Sequence, residues 1–275
     1  MRERAILFGS HRGLVGVVTE PATPAPGPRR AVVMSNIGLH HRVGPFRLYV
    51  ELARLLAAQG WYVLRFDLSG LGDSAARTGA LGDAERAALD VSEALDWLGD
   101  RLGVARFVLL GLCSGVDSTH AVAVADPRVA GAVFIDGYTY PTAGFRLRHH
   151  TRRYLQGGRW ARFARRRLRR LASGRPPAPA EPAAVFTREY PPLERFRADV
   201  ARMVARGARL LFVFTGTVDV RYNHRGQLFE MLGPTVPREH IEVELYRSAD
   251  HLFTATAARA ELTAHVGRWL AAFDE

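Results

Sequence analysis

Short apolar runs of strand length alternate with amphipathic patterns along most of this chain. Apolar runs such as Phe107–Leu112 and Val129–Ile135 alternate along the chain with segments in which apolar residues recur every three or four positions. Asp83–Leu102 is one such segment. Strands joined through helices of about ten or more residues need right-handed crossovers and therefore lie parallel. The alternation predicts an α/β fold with a mostly parallel, doubly wound sheet.

The start of the chain is expected to differ from this pattern. Ala5–Gly9 and Leu14–Thr19 are separated only by a turn that contains His11-Arg12-Gly13, so we expect an antiparallel hairpin. The other predicted strands are Arg30–Asn36, Trp61–Asp67, Ala105–Leu110, Val129–Asp136, Arg209–Thr215 and Ile241–Tyr246. The predicted helices are Phe46–Gln59, Asp83–Leu102, Ser114–Ala125, Leu193–Ala205, His224–Leu232 and Thr254–Phe273.

The alternation is interrupted between residues 141 and 192. Phe145–Gly157 and Trp160–Ala172 have the pattern of two basic helices, and a Pro-rich segment, Pro176–Pro182, follows them. We interpret 141–192 as an Arg-rich helical cap inserted into one core that is formed by residues 1–140 and 193–275. The cap also carries apolar residues that are able to cover a pocket: Phe145, Leu147, Tyr154, Leu155, Trp160 and Phe163.

The net charge of +11 is concentrated in one part of the chain. Much of the excess lies between Arg146 and Arg175, and the rest of the sequence is close to balanced. Zinc-ligand spacing, helix-turn-helix signatures and aromatic ribbons do not accompany these arginines, so we expect no nucleic-acid partner. The arginines are interpreted either as a solvated helix face or as a docking surface for an acidic partner.

The single cysteine, Cys113, excludes an internal disulfide and favours a reducing cytoplasm. The apolar runs are of strand length, so no membrane span is predicted. Residues Met1–Ile6 lack the pattern of a signal peptide. With 48% hydrophobic residues in 275, the chain is able to bury one sizeable core.

The segment Gly111-Leu112-Cys113-Ser114-Gly115 follows a predicted buried strand and opens a predicted helix. This is the arrangement of a nucleophile elbow, in which a strained turn presents its central side chain above the sheet. We predict that Cys113 is the nucleophile and that the backbone N–H of Ser114 is an oxyanion donor. Two alternatives stay open: an ordinary buried Cys113, or Ser114 as the nucleophile.

The acid and the base are expected after the last two strands, in the order nucleophile, acid, histidine. Asp219 follows strand Arg209–Thr215, where its carboxylate is predicted to accept the imidazole N–H. His251 lies after strand Ile241–Tyr246 and is the predicted base. The alternative for Asp219 is a turn-forming residue, and Asp250 is interpreted as a loop or helix-capping residue.

The loop after strand Arg30–Asn36 is expected to supply the second oxyanion donor. We favour the backbone N–H of Ile37, with Gly38 as the alternative. Candidate pocket residues are Asn36, His40, His41, Leu112 and Tyr222. No metal site or cofactor is predicted. The Asp67–Ser74 segment lacks the lysine of a phosphate-binding loop and is interpreted as a turn at the pocket rim.

These motifs resemble those of the α/β-hydrolase superfamily. The elbow, the Ser69–Ser74 turn, and the Asp219 and Asp250-His251 segments are similar to its serine aminopeptidase/lipase-like branch. The stretch from Asn36 through Gly44-Pro45 to Val50 is similar to hydrolases associated with exosortase A systems. A cysteine in the elbow resembles dienelactone hydrolases and polyhydroxyalkanoate synthases, which use Cys-Asp-His triads.

The resemblance implies covalent acyl chemistry on an ester, lactone or thioester, by hydrolysis or acyl transfer. The expected partner is a small acyl substrate, with an acidic carrier protein or coenzyme A as candidate carriers. The alternative is a lyase that eliminates a carboxylate with His251 as base, as in hydrolase-fold proteins that tailor polyketide tetronates. Secondary metabolism, that is natural-product biosynthesis, is the expected setting of the acyl chemistry as well. A non-catalytic binding module is the third possibility. The oligomeric state is left open.

Overall fold

Eight strands form a single sheet in the computed structural model, which describes residues 1–155 and 190–274. They are β1 (Arg2–Phe8), β2 (Leu14–Glu20), β3 (Arg30–Met34), β4 (Tyr62–Phe66), β5 (Arg106–Leu112), β6 (Val129–Ile135), β7 (Arg209–Thr215) and β8 (Ile241–Tyr246). Their order across the sheet is β1-β2-β4-β3-β5-β6-β7-β8. All eight strands coincide with predicted ones to within a few residues.

The directions of the strands confirm the predicted mixed sheet. β1 pairs antiparallel with β2, which in turn pairs antiparallel with β4. The pairs from β4 through β3, β5, β6 and β7 to β8 are all parallel. The carboxyl ends of the parallel strands therefore meet at one edge of the sheet, which is where α/β proteins place their functional loops.

Seven α-helices are described: α1 (Leu48–Ala58), α2 (Asp83–Leu102), α3 (Gly115–Ala125), α4 (Ala143–Leu155), α5 (Leu193–Ala205), α6 (Gln227–Leu232) and α7 (Thr256–Ala271). α1 begins two residues later than predicted, because Phe46 and Arg47 have positive φ angles in a short 3-10 turn. α6 begins at Gln227 rather than His224, since the His224 ring accepts the N–H of Gly226 in a turn.

Helices cover both faces of the sheet and bury two cores. One face packs against α2, α3, α5 and α6, with side chains such as Leu95, Phe134 and Phe196 fully buried. The other face packs against α1 and α7, with Leu52 and Leu262 among its buried residues. Because both faces are covered, the inner strands are near-continuous apolar runs, as expected for a parallel sheet.

The predicted cap lies mostly outside the described residues. Of its two helices only the first is described, as α4, with Phe145 buried and Leu147 exposed. The second helix, the Pro-rich segment, Trp160, Phe163 and most of the arginine run fall within 156–189. The domain boundaries at 141 and 192 stay predictions. Among the described helices, none combines the length and apolarity needed to cross a bilayer.

The close packing around the elbow generates a stability prediction. A Cβ atom on Gly111 would lie 2.4 Å from the carbonyl oxygen of Gly115 and 2.7 Å from the Thr119 hydroxyl. Because the first of these is backbone, Gly111→Ala should lower the free energy of unfolding by about 2–3 kcal/mol, as overpacking does. Urea denaturation measures this change.

The matched control is Gly99→Ala within α2, where the nearest atom to a new Cβ would be 3.6 Å away. This change should raise the free energy of unfolding by about 0.5 kcal/mol through helix propensity. Equal effects of the two substitutions would contradict the tight approach at Gly111.

Candidate active site

Cys113 lies at the carboxyl end of β5, at the turn into α3. Its φ angle is +54°, a left-handed conformation that non-glycine residues rarely adopt. The backbone N–H of Cys113 donates to the carbonyl of Ile135 at 2.9 Å, so the end of β5 stays paired with β6. The thiol side chain is partly exposed, at the edge of the core formed with α1 and α7.

Asp136 occupies the equivalent position on the neighbouring strand. It follows β6 directly, has a φ of +48° and is almost fully buried. Its Oδ1 accepts the backbone N–H of Thr215 at 2.7 Å, and its Oδ2 accepts the Thr215 hydroxyl at 2.6 Å. β7 therefore holds this buried carboxylate in one orientation, with its polar atoms satisfied.

The imidazole of His251 is hydrogen-bonded to Asp136. The distance from Nδ1 of His251 to Oδ2 of Asp136 is 2.7 Å. The loop that carries the ring is anchored in turn, because the backbone N–H of His251 donates to the Thr217 hydroxyl at 2.9 Å. The neighbouring Asp250 accepts the N–H groups of Leu252 and Thr254, as a loop-capping residue does.

The prediction that Asp219 is the partner of His251 is wrong. Asp219 lies beyond a 3-10 turn, Gly216–Val218, and is exposed. The register of the sheet explains the difference: Leu112 is level with Ile135, and Ile135 with Val213, so the residues that follow β5 and β6 are adjacent. One signal in the sequence pointed to Asp136: a carboxylate placed directly after a fully apolar strand.

The second neighbour of the His251 ring is Cys113. Hydrogen bonds to Asp136 and to Cys113 raise the pKa of His251 to about 10, although burial acts in the opposite direction. The ring is therefore protonated at neutral pH. A protonated imidazole beside a thiol favours the thiolate, so this arrangement is able to present a sulfur nucleophile with an acid next to it.

The loop after β3 lies across from the start of α3. The backbone N–H of Gly38 donates to the Ser114 hydroxyl at 2.8 Å. A Cβ on Gly115 would lie 2.8 Å from the carbonyl oxygen of Asn36, which shows how closely the two segments approach. Ile37 is buried, and its carbonyl accepts the N–H of His40 at 2.9 Å in a tight turn.

Asp67, the residue that follows β4, holds the base of this loop. Its carboxylate is fully buried and accepts Asn36 Nδ2 at 3.1 Å and the backbone N–H of Arg42 at 2.6 Å. The Arg42 guanidinium pairs with the same carboxylate, which also accepts the backbone N–H of Asp73 at 3.1 Å. The Asp67–Ser74 segment, which the sequence predicts to be a turn, thus folds back on the Asp67 carboxylate.

The remaining candidate pocket residues fall into two groups. His40 and His41 are exposed on the loop after β3. Leu112 and Tyr222 are fully buried, and the Tyr222 ring stacks on Phe214 at a centroid distance of 3.7 Å. A pocket-lining role for Tyr222 is not supported, because its hydroxyl donates to the Arg225 carbonyl inside the core.

Within residues 1–155 and 190–274, no group of three or more His, Cys, Asp or Glu side chains is arranged to hold a metal ion. Two buried carboxylates at the carboxyl edge of the sheet, Asp67 and Asp136, accept backbone N–H groups. The reactive groups that the geometry brings together at this edge are the Cys113 sulfur, the His251 imidazole and the Asp136 carboxylate.

Comparison with known families and structures supports the fold. A family model described as "alpha/beta hydrolase fold" matches residues 39–178. An alpha-beta serine hydrolase homologue from Coxiella burnetii has 16% identity and a TM-score of 0.60, with 97% of each chain covered. An esterase of Pyrococcus furiosus has 14% identity and a TM-score of 0.64, covering 100% of this chain and 91% of its own.

The esterase domain of a Rhodothermus marinus protein has 19% identity and a TM-score of 0.57, covering 98% of this chain and 97% of its own. At these identities the likeness to solved structures shows the fold. No curated protein has a significantly similar sequence.

The network around Asp67 is expected to contribute to stability. Asp67→Asn removes the buried negative charge that Arg42 faces, so we expect the free energy of unfolding to fall by about 3 kcal/mol. The matched control is Asp73→Asn, since Asp73 also pairs with Arg42, at 2.7 Å, but its side chain is 67% exposed. That change should cost less than about 1 kcal/mol. Urea denaturation separates the two, and equal small losses would contradict the buried network.

The pairing of His251 with Cys113 predicts an unusual pH profile for thiol alkylation. Because this chain has one cysteine, iodoacetamide reports on Cys113 alone. The imidazolium of His251, whose pKa is raised to about 10, stays beside the sulfur across neutral pH, so the wild-type rate should depend less on pH between about 7 and 9 than the rate of His251→Ala. In His251→Ala the rate should instead rise with a midpoint near the ordinary thiol value of about 8.5.

Asp136→Asn and Asp219→Asn form a matched pair for the same measurement. The first removes the carboxylate bonded to His251 and should shift the profile toward that of His251→Ala. The second should leave the profile unchanged. If the pH profile of alkylation shifted in Asp219→Asn but not in Asp136→Asn, Asp219 would be the partner of His251, as the sequence predicts.

Proposed function

This chain belongs to the alpha/beta hydrolase fold family, and we propose that it is an enzyme of acyl chemistry with Cys113 as nucleophile, His251 as acid and base, and Asp136 as the orienting carboxylate. The observation that carries the proposal is the His251 ring, hydrogen-bonded to Asp136 on one side and to Cys113 on the other. A nucleophile, an acid–base group and an orienting carboxylate linked in this order are an arrangement that nucleophilic acyl substitution uses.

The first step is acylation of Cys113. The thiolate attacks the carbonyl carbon of an ester, lactone or thioester, and a carbon–sulfur bond forms as the carbonyl electron pair moves to oxygen. The backbone N–H groups of Ser114 and Ile37 are the proposed donors to this oxyanion. When the tetrahedral intermediate collapses, the bond to the leaving group breaks, and the His251 imidazolium gives its proton to the departing alkoxide or thiolate.

The second step returns the acyl group to an acceptor. His251, now neutral, takes a proton from water, an alcohol or a thiol, and the acceptor oxygen or sulfur attacks the Cys113 thioester. Asp136 keeps Nδ1 protonated throughout, so that the other ring nitrogen faces the sulfur. Since exchange between thioesters is nearly balanced in energy, a cysteine nucleophile suits acyl transfer at least as well as hydrolysis.

Thioester exchange at Cys113 suggests a substrate whose acyl group is carried on a thiol. A thioester on coenzyme A or on an acidic carrier protein would enter at the carboxyl edge of the sheet, where exposed groups such as His40, His41 and Arg221 lie. We propose such a thioester as the first substrate to test, beside a simple ester.

The test is intact-mass analysis after brief exposure to p-nitrophenyl acetate or to an acetyl thioester of N-acetylcysteamine. We expect wild-type protein to gain one acetyl group, and Cys113→Ala to gain none and to lose about 10³-fold or more of its turnover. Asp219→Asn is the matched control and should acylate like the wild type.

Two other outcomes would overturn the proposal in different ways. Turnover that survives in Cys113→Ala but not in His251→Ala would indicate elimination with His251 as base, as in a carboxylate-releasing lyase. No adduct and no turnover with an acyl panel, together with saturable binding of one of its members, would indicate a binding module.

A further inference from the structure

We propose that Ser114 is a positioning residue whose hydroxyl holds the Ile37–Gly38 turn in place to complete the oxyanion hole. The inference rests on the proposed function, because an oxyanion hole has a role only where a carbonyl is attacked. It concerns the Ser114 side chain, in addition to the backbone N–H that already takes part in the proposed mechanism.

An oxyanion hole built from two segments requires that the segments keep their separation. The Ser114 N–H moves with Cys113, since the two residues are neighbours in the elbow. The Ile37 N–H belongs to the loop after β3, a separate element. Donors in such a site must lie within a few tenths of an ångström of their positions to stabilise a developing charge.

The hydrogen bond from Gly38 N–H to the Ser114 hydroxyl, 2.8 Å long, joins these two segments directly. It comes from the residue next to Ile37 and ends on the residue next to Cys113. It also occupies the Gly38 N–H, so the Ile37 N–H is the proposed second donor. Ile37 and Gly38, the two candidate donors from the sequence, thus have different proposed roles: Ile37 binds the oxyanion, and Gly38 anchors the loop to Ser114.

The tip of the loop is exposed, and its other hydrogen bonds lie within the loop itself: the His40 N–H donates to the Ile37 carbonyl at 2.9 Å, and Asn36 Nδ2 donates to the His40 carbonyl at 2.8 Å. Gly38 has a φ of +51°, and among the described residues no heavy atom lies within 4 Å of where its Cβ would be. The side chain of Leu39 is 78% exposed. The Asn36–Asp67 contacts hold the base of the loop, at the end of β3, while the Ser114 hydroxyl contacts its tip.

The experiment compares two reactions at one sulfur. Acylation by p-nitrophenyl acetate passes through an oxyanion, whereas alkylation by iodoacetamide does not. We expect Ser114→Ala to slow acylation by about 10- to 100-fold, since it leaves both backbone donors in the chain but frees one of them to move. Alkylation of Cys113 should stay within about twofold of the wild-type rate, because the thiolate pair with His251 is intact.

Two variants serve as controls. Ser114→Thr keeps the hydroxyl and should recover most of the acylation rate. Ser248→Ala removes an exposed hydroxyl from the loop that precedes His251 and should leave both reactions unchanged. Circular dichroism and urea midpoints verify that each variant is folded.

The outcomes separate this inference from the proposed function. If wild-type Cys113 forms no acyl adduct, the proposed function fails and the inference fails with it. If the wild type is acylated and Ser114→Ala is acylated equally fast, the inference alone is overturned. Equal slowing of alkylation and acylation would also overturn it, since that pattern indicates a disturbed thiolate rather than a displaced oxyanion donor.

Discussion

The candidate site depends on the pairing of β5 with β6 up to their last residues. The hydrogen bond from Cys113 N–H to the Ile135 carbonyl keeps the two strand ends level, and a second one, from Asp136 N–H to the Val213 carbonyl, extends the alignment to β7. Parallel strands in register bring the residues that follow them side by side. A sulfur and a carboxylate thus face the same space, and the loop after β8 adds the imidazole.

Strain and buried polarity are concentrated at these strand ends. Cys113 and Asp136 both have left-handed backbone conformations, which persist only where the surrounding structure determines them. Glycine neighbours leave room for the turn at Cys113, and two hydrogen bonds from Thr215 satisfy the Asp136 carboxylate. The fold therefore stabilises local geometry that an isolated peptide would avoid, and this geometry places the His251 ring in contact with both Asp136 and Cys113.

The loop after β3 is held by a different kind of interaction. A buried carboxylate, Asp67, gathers Asn36 and Arg42 at its base, while its tip reaches the start of α3 through the Ser114 hydroxyl. The base of this loop is expected to contribute to the free energy of folding, and its tip bears the proposed oxyanion donor. The two roles can be measured separately, by urea denaturation for Asp67 and by acylation for Ser114.

The sequence alone was sufficient for the sheet, the elbow and the position of His251, since each depends on local patterns: periodic apolar residues, glycines around a nucleophile, and a loop after a late strand. The sequence predicts Asp219 as the carboxylate partner of His251, because the prediction depends on the order of nucleophile, acid and histidine along the chain. The choice of Asp136 depends on which strands are neighbours and at which register, and the contact of Gly38 with Ser114 depends on two loops far apart in sequence. Such lateral contacts are set by the packing of the whole sheet, so only the tertiary structure decided them.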